Sequence, residues 1–371
     1  MPDIPTGLYV HFPWCVRKCP YCDFNSHEQD GPIPDVEYTR VLISELRQEA
    51  EASQPLHSIF FGGGTPSLIS PGNIAKLIGE AKTLFSCSHD MEITLEANPG
   101  TLDDSRIRDF RQSGVNRLSL GIQSFNDLYL RQLGRIHSSR DALRAIANAR
   151  EAGFTNLNLD LMHGLPNQTW ADAEQDLKTA ISFQPEHISW YQLTIEPNTV
   201  FYRYPPALPD EDTLFRIQER GMQLLANNGY QRYEVSAFSR PGRQCRHNLN
   251  YWQFGDYIGI GAGAHGKYTT DQGVFRTSRT RMPKSYLGDP GKKVTPVARE
   301  ELPLEFMMNA LRLSDGVDLS SYETRTGLPV ATIDPFLHQA FDRGFLTARN
   351  EIRLNAFGMR FVDEVLLLLT P

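Results

Sequence analysis

Cys15, Cys19 and Cys22 fall within eight residues of one another in the stretch HFPWCVRKCPYCDF. Thiolates at spacings this short are ligands of iron–sulfur clusters. Three of them leave one corner of a four-iron cube without a protein ligand, and that open iron is where a further molecule binds. The alternative is a zinc site of three thiolates and a histidine, with His11 or His27 as the fourth ligand. Zinc knuckles usually pair two Cys-x-x-Cys units, and here Cys19 and Cys22 form a single one.

Other residues with chemical potential follow. Gly62-Gly63-Gly64-Thr65-Pro66 lets backbone approach a ligand without a Cβ in the way, or forms a tight turn. Glu96 is a carboxylate at the end of an apolar run. Asp160 and His163 precede Gly164-Leu165-Pro166, while Thr194 and Glu196 follow another apolar run. In His247-Asn248-Leu249-Asn250-Tyr251-Trp252 the histidine has the donor type of an axial haem ligand, and the Tyr251 and Trp252 rings could lie flat against a porphyrin. A lone loop histidine is otherwise a surface or hydrogen-bonded residue. Cys245 is a second haem contact or a small buried hydrophobe. Cys87, placed at a helix end, reads as inert. Gly259–Gly266 (GIGAGAHG) lacks a P-loop lysine and reads as a close-packed strand end, with Ala264 and His265 turned to the mouth.

These residues need elements to position them. Strand-like runs at Leu8–Val10, Ser58–Phe61, Glu92–Glu96, Arg117–Gly121, Asn156–Leu161 and His187–Leu193 alternate with helical periodicity. The helical segments are Val36–Glu51, Pro71–Phe85, Asp103–Ser113, Ala142–Ala152, Trp170–Phe183 and Asp210–Asn228. Six βα units imply a parallel sheet with helices outside it. The polar features sit at the C-terminal ends of six different strands, which favours a partial (β/α)6 barrel with one mouth over an open sheet. Tyr230–Phe238 and Tyr257–Gly263 read as further strands around a polar segment, Arg240–Trp252. Helices at Leu304–Leu313 and Pro335–Phe345, a strand near Glu351–Leu354 and a last helix burying Val365–Leu369 suggest a small winged-helix-like α+β domain. The division expected is 1–230, 231–299 and 300–371.

With 371 residues, 40% hydrophobic and 22% charged, the composition is that of a globular protein. A net charge of −7 argues against bulk nucleic-acid binding. No secretory leader opens the chain, and no apolar run approaches the ~18 residues of a transmembrane segment. Five cysteines, an odd number with three clustered, suit reduced thiols in the cytoplasm rather than a disulfide framework.

With Tyr21 just before the last cysteine, Cys-x3-Cys-x2-Cys after the first strand resembles the radical S-adenosylmethionine (SAM) superfamily. The resemblance implies a [4Fe–4S] cluster on Cys15, Cys19 and Cys22, with S-adenosyl-L-methionine chelated at the open iron, in a radical-SAM partial barrel. It also implies that Gly64, Thr65 and Pro66 lie in the motif contacting the cofactor's methionine amino group, and that Glu96 binds ribose. Gln123, Arg135 and Asp160 match positions lining a second cofactor-sized site in the coproporphyrinogen dehydrogenase branch, with Tyr9 and Tyr21 at the edges of the two sites.

GGGTPSLI, EANPGT, RLSLGIQSFND, LRQLGRIH, NLDLMHGLPNQT and RHNLNYW extend the likeness from residue 7 to about 265. They are similar to the haem-chaperone branch related to oxygen-independent coproporphyrinogen III dehydrogenase. Two features point to the chaperones. Phe24 stands where the dehydrogenase pattern has a further cysteine, and HNLNYW is similar to the chaperones' haem-binding motif, with His247 its ligand. The implied function is a haem carrier with no catalytic residue, delivering haem to acceptor haem proteins, membrane respiratory enzymes among them. Cluster and SAM would be structural or regulatory. The alternative is an enzyme, a radical-SAM oxidoreductase decarboxylating coproporphyrinogen III. A zinc or nucleic-acid module fits poorly.

Overall fold

The computed structural model describes residues 4–29, 31–50 and 55–369. Strands β1 (Thr6–Phe12), β2 (Leu56–Gly63), β3 (Cys87–Ala97), β4 (Arg117–Gln123), β5 (Leu157–His163) and β6 (His187–Gln192) pair side by side in chain order, all parallel. Side chains alternate across a strand. Leu118, Leu120 and Ile122 of β4 are therefore buried in the core under the helices, while Ser119, Gly121 and Gln123 face a cavity. Asp160 of β5, with Ser189 and Tyr191 of β6, lines the same side.

Helices α1 (Asp35–Ala50), α2 (Pro71–Leu84), α3 (Asp104–Gln112), α4 (Ser139–Glu151), α5 (Trp170–Ser182) and α6 (Glu211–Asn227) follow the six strands in turn. The expected end of α1, Glu51, lies outside the described residues. α4 buries Ala142, Ala145, Ile146 and Ala149, a stripe at helical spacing. Capping boxes, Ser138 with Asp141 and Thr169 with Asp172, start α4 and α5; such a cap stabilises a helix by about 1 kcal/mol.

Residues beyond 230 extend both edges of this sheet. β7 (Gln231–Glu234) forms the edge, antiparallel to β8 (Ala237–Ser239), which itself adds antiparallel to β6, with a turn between the two where the sequence suggested one continuous strand. β9 (Asp256–Ile260) pairs parallel to β1. β10 (His265–Thr270), β11 (Gly273–Ser278) and β12 (Lys293–Pro296) then run antiparallel from it. Between the two groups the polar segment ends in a helix, α7 (Arg246–Trp252), so His247 is helical rather than in a loop. Cys87 opens β3 rather than ending a helix.

The C-terminal region holds α8 (Leu302–Ala310), α9 (Leu319–Thr326), α10 (Asp334–Asp342) and α11 (Val362–Leu366), packed on a core of their own that also takes in Phe254 and Val274. The expected strand near Glu351–Leu354 is present as isolated bridges, Val317 with Ile352 and Leu346 with Leu354. Val365 is buried as expected, whereas Leu367 is exposed. Among the described residues no helix is long and apolar enough to cross a membrane.

Candidate cofactor site

The cysteine loop leaves the end of β1 and is pinned at its base. Trp14–Cys15 pairs in parallel with His27–Glu28, a two-stranded ribbon that closes the loop at both ends. Trp14 is buried edge-on against Phe12 and Tyr38, at ring distances of 5.2 and 4.8 Å. Lys18 Nζ donates to the Phe24 and Ser26 carbonyls, both at 3.1 Å, folding the loop over.

The glycine run packs against this base. Gly64 N–H donates to the Phe12 carbonyl at 2.7 Å and Thr65 N–H to the Trp14 carbonyl at 2.8 Å. A Cβ on Gly64 would lie 2.6 Å from that Trp14 oxygen, and Gly63 has φ +114° with His11 equally close to its missing side chain. Close backbone approach is thus a property of the turn that supports Cys15.

These elements surround one cavity of about 490 Å³ at the C-terminal ends of the parallel strands. Cys15, Cys19, Tyr21 and Cys22 form one wall. Gly64, Thr65, Pro66 and Glu96 line it as well, as do Gln123, Asp160 and Arg135, the last of these against Cys19. Eleven sequence-predicted site residues therefore share a cavity. Phe24, Tyr191, Asn248 and Trp252 line it as well.

The polar groups are tightly held. Gln123 has a positive φ of 69° and accepts from the Tyr191 hydroxyl at 2.7 Å. Asp160 accepts from Ser119 Oγ at 3.0 Å and Asn158 Nδ2 at 2.7 Å. Glu96 accepts from Gly63 N–H at 3.3 Å. Burial, then the neighbouring Asp160 charge, pushes the Glu96 carboxyl up to about 8. Burial raises the Cys15 thiol too, with Cys22 and Cys19 adding to it. The Arg135 guanidinium is buried in the wall, and its Nε has no hydrogen-bond partner among the described residues.

Two predicted residues lie elsewhere. Tyr9 is on a neighbouring cavity with Tyr251 and Tyr257. His247 lines neither cavity: it is 2% exposed and stacked on Phe60 at 4.8 Å. Both its ring nitrogens are engaged, Nδ1 with Ser58 Oγ at 3.0 Å and Nε2 with the Tyr251 hydroxyl at 3.2 Å. Burial, then the His57 and Arg117 charges, pushes this imidazole down to about 3. Cys245 is fully buried, with its Sγ 3.4 Å from Glu92 Oε1, and faces no cavity. His163 is also buried, against Trp190.

Three thiols on the rim of a strand-end cavity in a parallel, helix-flanked sheet define the radical SAM class. The radical SAM superfamily model matches residues 9–180, and that of the HemN C-terminal domain matches 297–361. The chain is 47% identical to the heme chaperone HemW of Haemophilus influenzae, over 99% of this chain and 98% of that one. It is 46% identical to the HemW of Escherichia coli, covering 98% and 97%, and 37% identical to that of Bacillus subtilis, covering 97% and 100%. The chain belongs to the HemW family. Its fold is that of the coproporphyrinogen III oxidase HemN of Escherichia coli, with TM-score 0.82 at 22% identity over 100% of this chain and 91% of that one. Family membership implies a [4Fe–4S] cluster and SAM. The donor set fits in kind: three cysteines line one cavity, beside the Arg135 guanidinium, whose Nε has no hydrogen-bond partner among the described residues.

Proposed function

We propose that this chain is a cytoplasmic haem carrier that binds haem and passes it to acceptor haem proteins. The observation that carries this reading is the near-full-length identity of 47% with a protein named as a heme chaperone. Phe24 supports it. An exposed phenyl ring stands on the cavity rim where the related dehydrogenase pattern has a further cysteine. All five cysteines are free, as a reducing compartment requires.

In this reading Cys15, Cys19 and Cys22 hold the [4Fe–4S] cluster. Gly64, Thr65, Pro66 and Glu96 receive SAM, and Gln123, Arg135 and Asp160 line the remaining space. When bound and reduced, the cluster supplies an electron. The chain's own residues orient and enclose the cofactor: Glu96, whose carboxyl is pushed up by burial in the cofactor-free chain, offers hydrogen bonds to hydroxyl groups, while Arg135 offers its open N–H to a negative group.

The test is a titration of anaerobically reconstituted protein with ferric haem, followed by mixing with an apo-haem protein. A saturable Soret band that moves to the acceptor is the expected result. Absence of saturable binding contradicts the reading.

A further inference from the structure

Beside the thiol-lined cavity lies a second one of about 460 Å³, and Phe24, Gly63 and Glu96 belong to the walls of both. Tyr9, Tyr251 and Tyr257 complete an aromatic lining. His11, Asn25, Glu96, His265 and Arg281 share the lining with these rings, so an aromatic space of this size also holds polar groups that can orient a ligand. Phe24, 62% exposed, presents a face at the rim for a flat apolar ligand to cover.

Among the described residues, the side chains of His265 and Arg281 face this space with no hydrogen bond or ion pair. His265, the first residue of β10, has neither ring nitrogen hydrogen-bonded among the described residues. The other histidine of the cavity, His11, is fully engaged: Nδ1 with the Tyr9 hydroxyl at 3.0 Å and Nε2 with the Asn25 carbonyl at 2.9 Å. Arg281 is exposed on the cavity, and no carboxylate pairs with its guanidinium among the described residues. Burial, then the Arg281 and Arg276 cations, holds the His265 imidazole below its usual range, so its lone pair is open at neutral pH.

The geometry is fixed by Asn25. Its Nδ2 donates to the Ala262 carbonyl at 2.9 Å and to the Arg281 carbonyl at 3.0 Å. This binds the cysteine loop, and with it Phe24, to the segments that carry His265 and Arg281.

We propose that His265 is the axial ligand of the haem iron and Arg281 the partner of a haem propionate, with the porphyrin between Phe24 and the tyrosines of this cavity. The proposal rests on the haem-carrier reading and locates its site. The HNLNYW segment then acts through its spacing. Positions 248 and 252 share one face of α7 and line the first cavity. Tyr251 lines the second, and its hydroxyl is held by His247. His247 is thus a positioning residue that sets a wall of the site.

The experiment uses the anaerobically reconstituted full chain and ferric haem, with circular dichroism and iron content as controls. His265→Ala should weaken haem binding by about tenfold or more, and added imidazole should restore the histidine-ligated spectrum. His247→Ala should weaken binding while the bound fraction keeps that histidine-ligated signature. Arg281→Ala should bind haem as the wild type binds haem dimethyl ester, whose propionates carry no charge. Wild-type affinity and spectrum in His265→Ala would overturn the site while leaving the carrier reading standing. Failure of the wild type to bind haem would remove the carrier reading itself.

Discussion

Arg135 Nη1 lies 3.6 Å from Cys19 Sγ, and Nη2 donates to the Gly121 carbonyl at 2.8 Å. One guanidinium thus joins the cysteine loop to the end of β4. Replacing it with leucine removes the charged donor to this half-buried carbonyl, at a cost of about 1–3 kcal/mol. Arg135→Leu should lower the urea midpoint and the iron retained per chain. Arg135→Lys keeps the charge and loses the fork, so iron retention should fall between the two. Unchanged midpoint and iron content in the leucine variant would contradict the link.

Gly64→Ala tests the support of Cys15. The added methyl would press on the Phe12 and Trp14 carbonyl oxygens, 3.0 and 2.6 Å away, and backbone cannot swing aside as a side chain can. Overpacking of this kind costs about 1–3 kcal/mol. Loss of stability should come with loss of iron loading, because the same contact shapes the cysteine loop. Gly72, with nothing near its missing Cβ, is the control: Gly72→Ala should load iron normally.

The protonated Glu96 carboxyl gives a pH signature. Its folded-state value of about 8 stands above the ordinary 4.5, so the native chain holds a proton that the unfolded chain releases. That contribution is complete below the ordinary value and disappears as pH rises through about 8. Cofactor-free protein should lose stability to urea across this window. Glu96→Gln should flatten the upper part of the curve, above the range of Asp176, whose buried carboxyl sits at about 6. An identical slope in both proteins would rule out Glu96 as the titrating group.

Thiol reactivity should follow burial. Burial above all pushes the Cys245 thiol up to about 12, and Cys15 is raised for the same reason. In cluster-free protein, iodoacetamide at mildly alkaline pH should modify Cys19 and Cys22 first, Cys15 later, and leave Cys245 intact until unfolding. Peptide mass spectrometry reads the order; early labelling of Cys245 would contradict the packing described.

β1 to β6 were legible because buried parallel strands read as short apolar runs, and their polar ends marked the mouth. Tyr191 is legible from its alternation with Ser189 in His187–Leu193, since both fall on the cavity side of the strand. β10 to β12 were not legible: HGKYTT and GVFRTS are largely polar strands whose place depends on pairing with β9. The burial of His247 was hidden for a stronger reason, since its Nδ1 partner, Ser58, is 189 residues away in sequence. A helix at Arg246–Trp252 pairs 247 with 251, which lines the second cavity, and 248 with 252, which line the first, a division that a loop reading of HNLNYW cannot give.

The central claim is that Cys15, Cys19 and Cys22 alone hold a four-iron cluster with one corner open at the mouth. Mössbauer spectroscopy of anaerobically reconstituted serine variants, one cysteine at a time, tests it most directly. Each of these three substitutions should abolish the four-iron signal, while Cys87→Ser and Cys245→Ser should keep it. A full four-iron signal in Cys15→Ser, Cys19→Ser or Cys22→Ser would contradict the account.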